Sequence, residues 1–147
     1  MLAENLKVLL ASSYVFAIKA QHFHWNVEGP DFPQYHEFFG NLYNEIADNA
    51  IDQAAEYIRT LDVYSPGSMT RFVELSVIQE QTMIPRAELM FAELEQDNLK
   101  LIELINECFK SAEAENKQGI ANFLAERDDA HNKHGWMIRS ILKKQRA

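Results

Sequence analysis

The feature that most constrains this chain is a stripe. Leu6, Leu9, Leu10, Ser13, Phe16, Ala17, Ala20 and His24 recur at spacings of three and four. That period predicts an amphipathic helix over roughly residues 2–27. "EGPDFP" then breaks the pattern, because Pro30 and Pro33 cannot donate a backbone hydrogen bond and restrict the residues before them. A second stripe, Phe39, Leu42, Ile46, Ala50, Ala54, Tyr57 or Ile58, and Leu61, predicts a helix from about Gln34 to Leu61, ended by "YSPGS". "SMTRFVEL" predicts a short helix capped by Ser68. A third long helix is expected to open at Pro85, a favourable first-turn residue. Its stripe is Met90, Phe91, Leu94, Leu101, Ile105 and Cys108. The fourth is expected from about Lys117 to Lys144, with Ile120, Phe123, Leu124, Ile138 and Leu142.

The fold class is therefore all-α. Four long helices with one long connection, between helices two and three, suit a ferritin-like four-helix bundle with a short extra helix in that connection. A helix near 25 residues is about 38 Å long. A chain of 147 residues suits a single domain over 1–147. Apolar residues at 47% argue against disorder, and no apolar run is long enough to span a membrane. The apolar N-terminus lacks the basic start of a signal peptide and is read as a mature helix. The lone cysteine, Cys108, excludes an internal disulfide framework and fits the reducing cytoplasm. It falls on an apolar helix position and is expected to be an inert buried thiol. The net charge of −8 opposes binding to a phosphate backbone. Basic residues gather only in the terminal "RSILKKQRA", where they complement a helix dipole.

The candidate ligands are His22, His24, His36, Asp48, Asp52, Glu56, Asp128, His131 and His134. Residues two apart on a helix point about 200° away from each other, so His22 and His24 cannot serve one site. His24 shares the apolar face, and His22 is expected in solvent. Asp52 and Glu56 lie four apart on one face, beside the stripe. A solvated helix edge explains such a pair as readily as a metal does. A single-chain di-iron bundle needs Glu-x-x-His on two helices and a Glu on each of the others. Helix four offers only Asp128-x-x-His131, and helix two has no Glu-x-x-His. An iron site wholly inside the bundle is poorly supported, so any iron ligands must be assembled differently.

"QHFHWNVEGPDFPQYHEFFGNLYNE" resembles the signature of the Dps family, the mini-ferritins that protect bacterial DNA during starvation. "DQAAEYIRTL" resembles its Asp-x-x-x-Glu stretch. "SPGSMTRFVELSVI" resembles the short helix that follows, and "KHGWMIRSIL" the end of the last helix. Together the motifs touch every part of the chain except helix three. The resemblance implies hollow dodecamers with ferroxidase sites at two-fold interfaces. His24 and His36 would come from one subunit, and Asp52 and Glu56 from its partner. Iron, Fe(II) and then Fe(III), is the implied metal, with Zn(II) as a substitute. Hydrogen peroxide, or more slowly oxygen, would oxidise Fe(II), and the ferric mineral would collect in the cavity. Trp25 would be an electron donor beside the site; a large packing residue is the plainer account.

The sequence departs from the family in three respects. Gly40 stands one turn after His36, where the family often carries an Asp, which implies a weaker second iron position. His36 to Asp52 spans sixteen residues, one more than is usual. Read without a gap, Ile51 and Ala55 would take the ligand positions; a π-bulge between Asn44 and Ile51 would absorb the insertion and keep the carboxylates. Lys-rich terminal extensions are absent, so DNA binding is not expected. The alternative to an iron-oxidising cage is a ferritin-like structural shell that has lost its iron chemistry. His131 and His134 are near neighbours on helix four. They are expected in core or interface packing, or in a second metal site with Asp128.

Overall fold

The computed structural model describes residues 1–143. Its elements are α1 (Leu2–Asn26), α2 (Phe32–Ile46), a π-helical turn (Ala47–Ile51), α3 (Asp52–Thr60), α4 (Met69–Leu75), α5 (Ala87–Ala114) and α6 (Gln118–Leu142). No strand occurs among the described residues. The element α2, the π turn and α3 follow one another without a break and form the single second rod expected from the sequence. The bundle is the ferritin-like one: two helical hairpins joined by the long connection that carries α4.

Boundaries shift for local reasons. Pro33 falls inside the first turn of α2 rather than before it. It is tolerated there because its missing N–H would have had no helical partner. The second rod stops at Thr60, where Asp62 adopts a positive φ of 61°, before "YSPGS" is reached. The fifth helix begins at Ala87 with Arg86 as its cap, so Pro85 precedes the helix instead of opening it. Ser68 does cap α4, accepting a hydrogen bond from the Arg71 N–H. Leu142 ends α6. Lys144 and the rest of the basic tail, 144–147, lie outside the described residues.

The first helix is the centre of the fold. Its stripe from Leu6 to Ala20 is buried, and so are Leu2, Ala11, Ser12, Val15, Lys19 and Phe23. Burial on more than one face follows from what surrounds it: α2 and α3, α5, and the connection that carries α4. Each large apolar side chain so buried contributes about 1.5–3 kcal/mol. Two polar side chains of α1 fasten the connection. Ser12 Oγ accepts from the Val77 N–H at 3.0 Å. Lys19 Nζ, itself buried, donates to the Gln79 carbonyl at 3.1 Å and pairs with Asp97 at 2.8 Å and Glu93 at 3.4 Å. Burial pushes the Cys108 thiol up to about 12, so it stays protonated and unreactive.

Candidate metal centre

The imidazoles of His24 and His36 meet where α1 ends and α2 begins. Their rings stack nearly parallel, with centroids 3.9 Å apart and planes 13° apart. Phe32 stacks on the far face of His36, with centroids 5.0 Å apart. The hydrogen bonds are reciprocal. His24 Nδ1 donates to the His36 carbonyl at 2.6 Å, and His36 Nδ1 donates to the His24 carbonyl at 2.7 Å. A carbonyl only accepts, so each Nδ1 carries a proton, and Nε2 is the nitrogen left to ligate on each ring. Neither Nε2 has a hydrogen-bond partner among the described residues. Backbone carbonyls bonded to the far nitrogen are how proteins fix a metal-binding histidine's tautomer and orientation.

Gly40 makes this stack sterically feasible. A Cβ at position 40 would lie 2.9 Å from His24 Cε1 and 3.0 Å from its Nδ1. The His24 ring occupies the space a side chain would need. The glycine is thus not merely a missing carboxylate; its absent side chain is part of the imidazole seat.

Asp52 and Glu56 are exposed on α3. Asp52 borders a shallow groove of about 240 Å³ with Tyr14, Gln21 and Tyr43, on the face where α1 meets the second rod. Tyr43 in turn lies 5.9 Å from His24. The extra residue between His36 and Asp52 is absorbed by the π turn, within the span the sequence indicated. Gln53 Nε2 donates to the Asp48 carbonyl at 2.9 Å, filling an acceptor in the widened turn. The structure therefore joins His24 to His36, and Asp52 to Glu56 along one helix face. It does not join the two pairs within one chain: among the described residues no three His, Cys, Asp or Glu side chains converge on a metal position.

Other candidates fall away. His22 is not simply solvated; its Nε2 donates to the Met83 carbonyl at 2.8 Å, pinning the long connection. Asp48 is exposed. Trp25 is 66% exposed, so it is not a core packing residue. Cys108 lies in the apolar core.

His131 and His134 belong to a polar network inside the bundle, without Asp128. Arg127 forms a fork on Glu45, NH1 to Oε2 at 2.6 Å and NH2 to Oε1 at 3.0 Å. The same NH2 donates to His131 Nε2 at 3.0 Å. His131 Nδ1 donates to Asn98 Oδ1 at 2.8 Å, and Asn98 Nδ2 returns a bond to the His131 carbonyl. His134 Nε2 reaches Glu45 Oε1 at 2.7 Å. Burial pushes the Glu45 carboxyl up, but hydrogen bonds from His134 and Arg127 and the Arg127 charge outweigh it and hold it well below the usual range. Burial, with the positive Arg127 beside it, holds His131 well below 6.5, so it is a neutral imidazole. Sequence reading missed Glu45, Arg127 and Asn98. The signal was there: Arg127 and His131 continue the stripe of Ile120, Phe123 and Leu124.

A family model of the ferritin-like domain matches residues 3–147. A DNA protection during starvation protein 2 of Bacillus anthracis is 30% identical over 139 residues, 95% of this chain and 94% of that one. The chain is a Dps-like mini-ferritin. Among solved structures, Dps from Staphylococcus aureus superposes on the mini-ferritin with a TM-score of 0.93 at 28% identity, covering 98% of this chain and 96% of that one. An uncharacterized low temperature-induced protein of a Nostoc species is 36% identical over 138 residues, 92% of this chain and 76% of the relative. No helix among the described residues is long and apolar enough to cross a membrane.

Proposed function

We propose that this mini-ferritin oxidises Fe(II) at sites shared between two copies of the chain and stores the ferric product in a hollow cage, a dodecamer. His24 and His36 of one subunit, with Asp52 and Glu56 of its partner, hold the iron substrate. Mixed imidazole and carboxylate donors suit Fe(II), and Zn(II) fits the same set as a redox-inert competitor. Hydrogen peroxide accepts two electrons, one from each of two Fe(II) ions; its O–O bond breaks and two hydroxides form. Oxygen is the slower oxidant. Removing Fe(II) and peroxide together protects DNA and other cell components from radical damage, with no need for DNA contact. Trp25, exposed and next to His24 in sequence, would be an electron donor to excess oxidant. The compartment is the cytoplasm.

The observation that carries the reading is the pair of fixed tautomers at His24 and His36. Two stacked imidazoles held through Nδ1, with neither Nε2 partnered among the described residues, are poorly accounted for by packing alone. The Vibrio cholerae relative, 25% identical with a TM-score of 0.92, is described as a member of a superfamily of ferritin-like diiron-carboxylate proteins, which supports iron as the metal. A shell without iron chemistry is the second reading, and Gly40, which leaves no room for a third carboxylate, favours it.

The test is anaerobic Fe(II) addition followed by peroxide, with ferric absorbance recorded for wild type and for Asp52→Ala/Glu56→Ala. Fast oxidation in wild type, reduced in the double variant to the rate in buffer, is expected. Rates equal to buffer in both would support the shell reading. Added Zn(II) should slow the wild-type rate, and sedimentation should show a twelve-chain particle.

A further inference from the structure

Ferritin-like di-iron bundles place their metal between the helices, on carboxylates and histidines that project inward. In this chain that interior carries a different set. Glu45 comes from α2, Asn98 from α5, and Arg127, His131 and His134 from α6. Arg127 is only 4% exposed and His131 1%. The donor atoms are of the metal-binding kind: both carboxylate oxygens of Glu45 and the bare Nε2 of His131. All three lie within 3.0 Å of the guanidinium. His134 Nε2 stands a further 2.7 Å bond behind Glu45 Oε1. Asn49 Nδ2 also donates to Glu45 Oε2, at 3.2 Å. Asn98 fixes the His131 tautomer from outside, as the supporting partner of a metal-bound imidazole would.

We propose that Arg127 is a built-in cation filling the bundle's internal metal position, and that Glu45 and His131, with His134 holding Glu45 from behind, form a latent site for a divalent transition metal that opens when the guanidinium is removed. The native interior is thereby closed to iron, and metal is directed to the subunit boundary. The convergence on one guanidinium explains why no three of these side chains meet on a metal position in the native chain. It also explains why a buried arginine persists on an apolar stripe. A guanidinium spans its partners with a rigid planar fork, whereas a metal ion would draw the same donors closer together. One consequence is sharp: the chain can hold the fixed positive charge or the metal there, not both.

The test uses the full-length chain and Co(II), whose visible bands report its coordination. Arg127→Ala and Arg127→Met are compared with the parent, each also in the Asp52→Ala/Glu56→Ala background. Counting the difference between variant and parent makes the result independent of whether the inter-subunit site binds metal. Both variants are expected to take up one additional Co(II) per chain and to melt at a higher temperature with Co(II) than without. Adding His131→Ala or Glu45→Gln should abolish the additional ion. A folded Arg127 variant that takes up no more Co(II) than its parent overturns the proposal. So does additional Co(II) that survives His131→Ala. A variant that stays unfolded even with Co(II) counts equally against it, because a filled site would restore the missing charge.

Discussion

Replacing Gly40 with alanine separates the stability of this protein from the geometry of its histidine pair. The new Cβ would sit 2.9 Å from His24 Cε1 and 3.0 Å from Nδ1, closer than carbon atoms tolerate. Either the ring or the backbone must move. Moving the ring breaks the 2.6 Å bond from His24 Nδ1 to the His36 carbonyl and disturbs the stack. Overpacking of this kind costs about 1–3 kcal/mol, and the lost hydrogen bond about 1 kcal/mol. Against these stands the better helix propensity of alanine, worth about 1 kcal/mol. The net expectation is a loss of about 1–3 kcal/mol in urea unfolding, small enough to leave a folded chain. The effect on metal should be larger, because loss of the bond that orients a ligating imidazole typically costs about 10–100-fold in affinity. The assay is Zn(II) titration alongside the Fe(II)–peroxide rate, on protein shown to be folded by circular dichroism. Wild-type affinity and rate in Gly40→Ala would refute the argument that the empty space at position 40 seats His24.

Glu45→Gln should cost about 3–5 kcal/mol, because it leaves Arg127 buried without its carboxylate; equilibrium urea unfolding measures it. Lys19→Met should cost a similar amount by stranding buried Asp97. It should also make the 76–86 segment more sensitive to limited proteolysis, because the Gln79 anchor goes with it. Mild acid should destabilise the wild type. His131 has a folded pKa well below 6.5, so below about that pH the unfolded chain takes up a proton that the folded chain refuses. Stability is then complete above pH 6.5 and falls by up to about 1.4 kcal/mol per pH unit below it. Glu45, held below the usual range, adds stability that is fully present above its ordinary 4.5 and is lost only at lower pH. Equal urea midpoints at pH 7.5 and 5.5 would contradict the buried neutral imidazole.

Much of the fold was legible because its signal is periodic. The α1 stripe needs no partner to be recognised, and every apolar position in it is buried. The π turn was legible for another reason: one surplus residue between His36 and Asp52 had to go somewhere. What stayed hidden was charge buried on the stripes. Lys19 lies three residues after Phe16 and four before Phe23, and Asp97 lies three after Leu94 and four before Leu101. Arg127 follows the same rule. Each occupies a core position, but a charged side chain is ordinarily assigned to solvent, and its partner is distant in sequence. The candidate metal centre was only half legible from contacts for a geometric reason. Its imidazoles meet within one chain, whereas its carboxylates face outward.

The π turn also places a constraint on how such a chain can change over time. Its information lies in length rather than in residue identity. Many side chains in Ala47–Ile51 can be exchanged without disturbing the phase of the rod, because four of the five residues there are not buried. Loss of one residue there would remove the bulge and return the rod to a regular helix with its phase unchanged, so Asp52 and Glu56 would keep their face. Gain of a further residue, with no second bulge to absorb it, would instead turn everything after it by about 100°. Lineages of such a chain should therefore drift freely in composition across the turn and tolerate its loss together with the surplus residue. A further insertion there would carry the two carboxylates off their face without changing either of them.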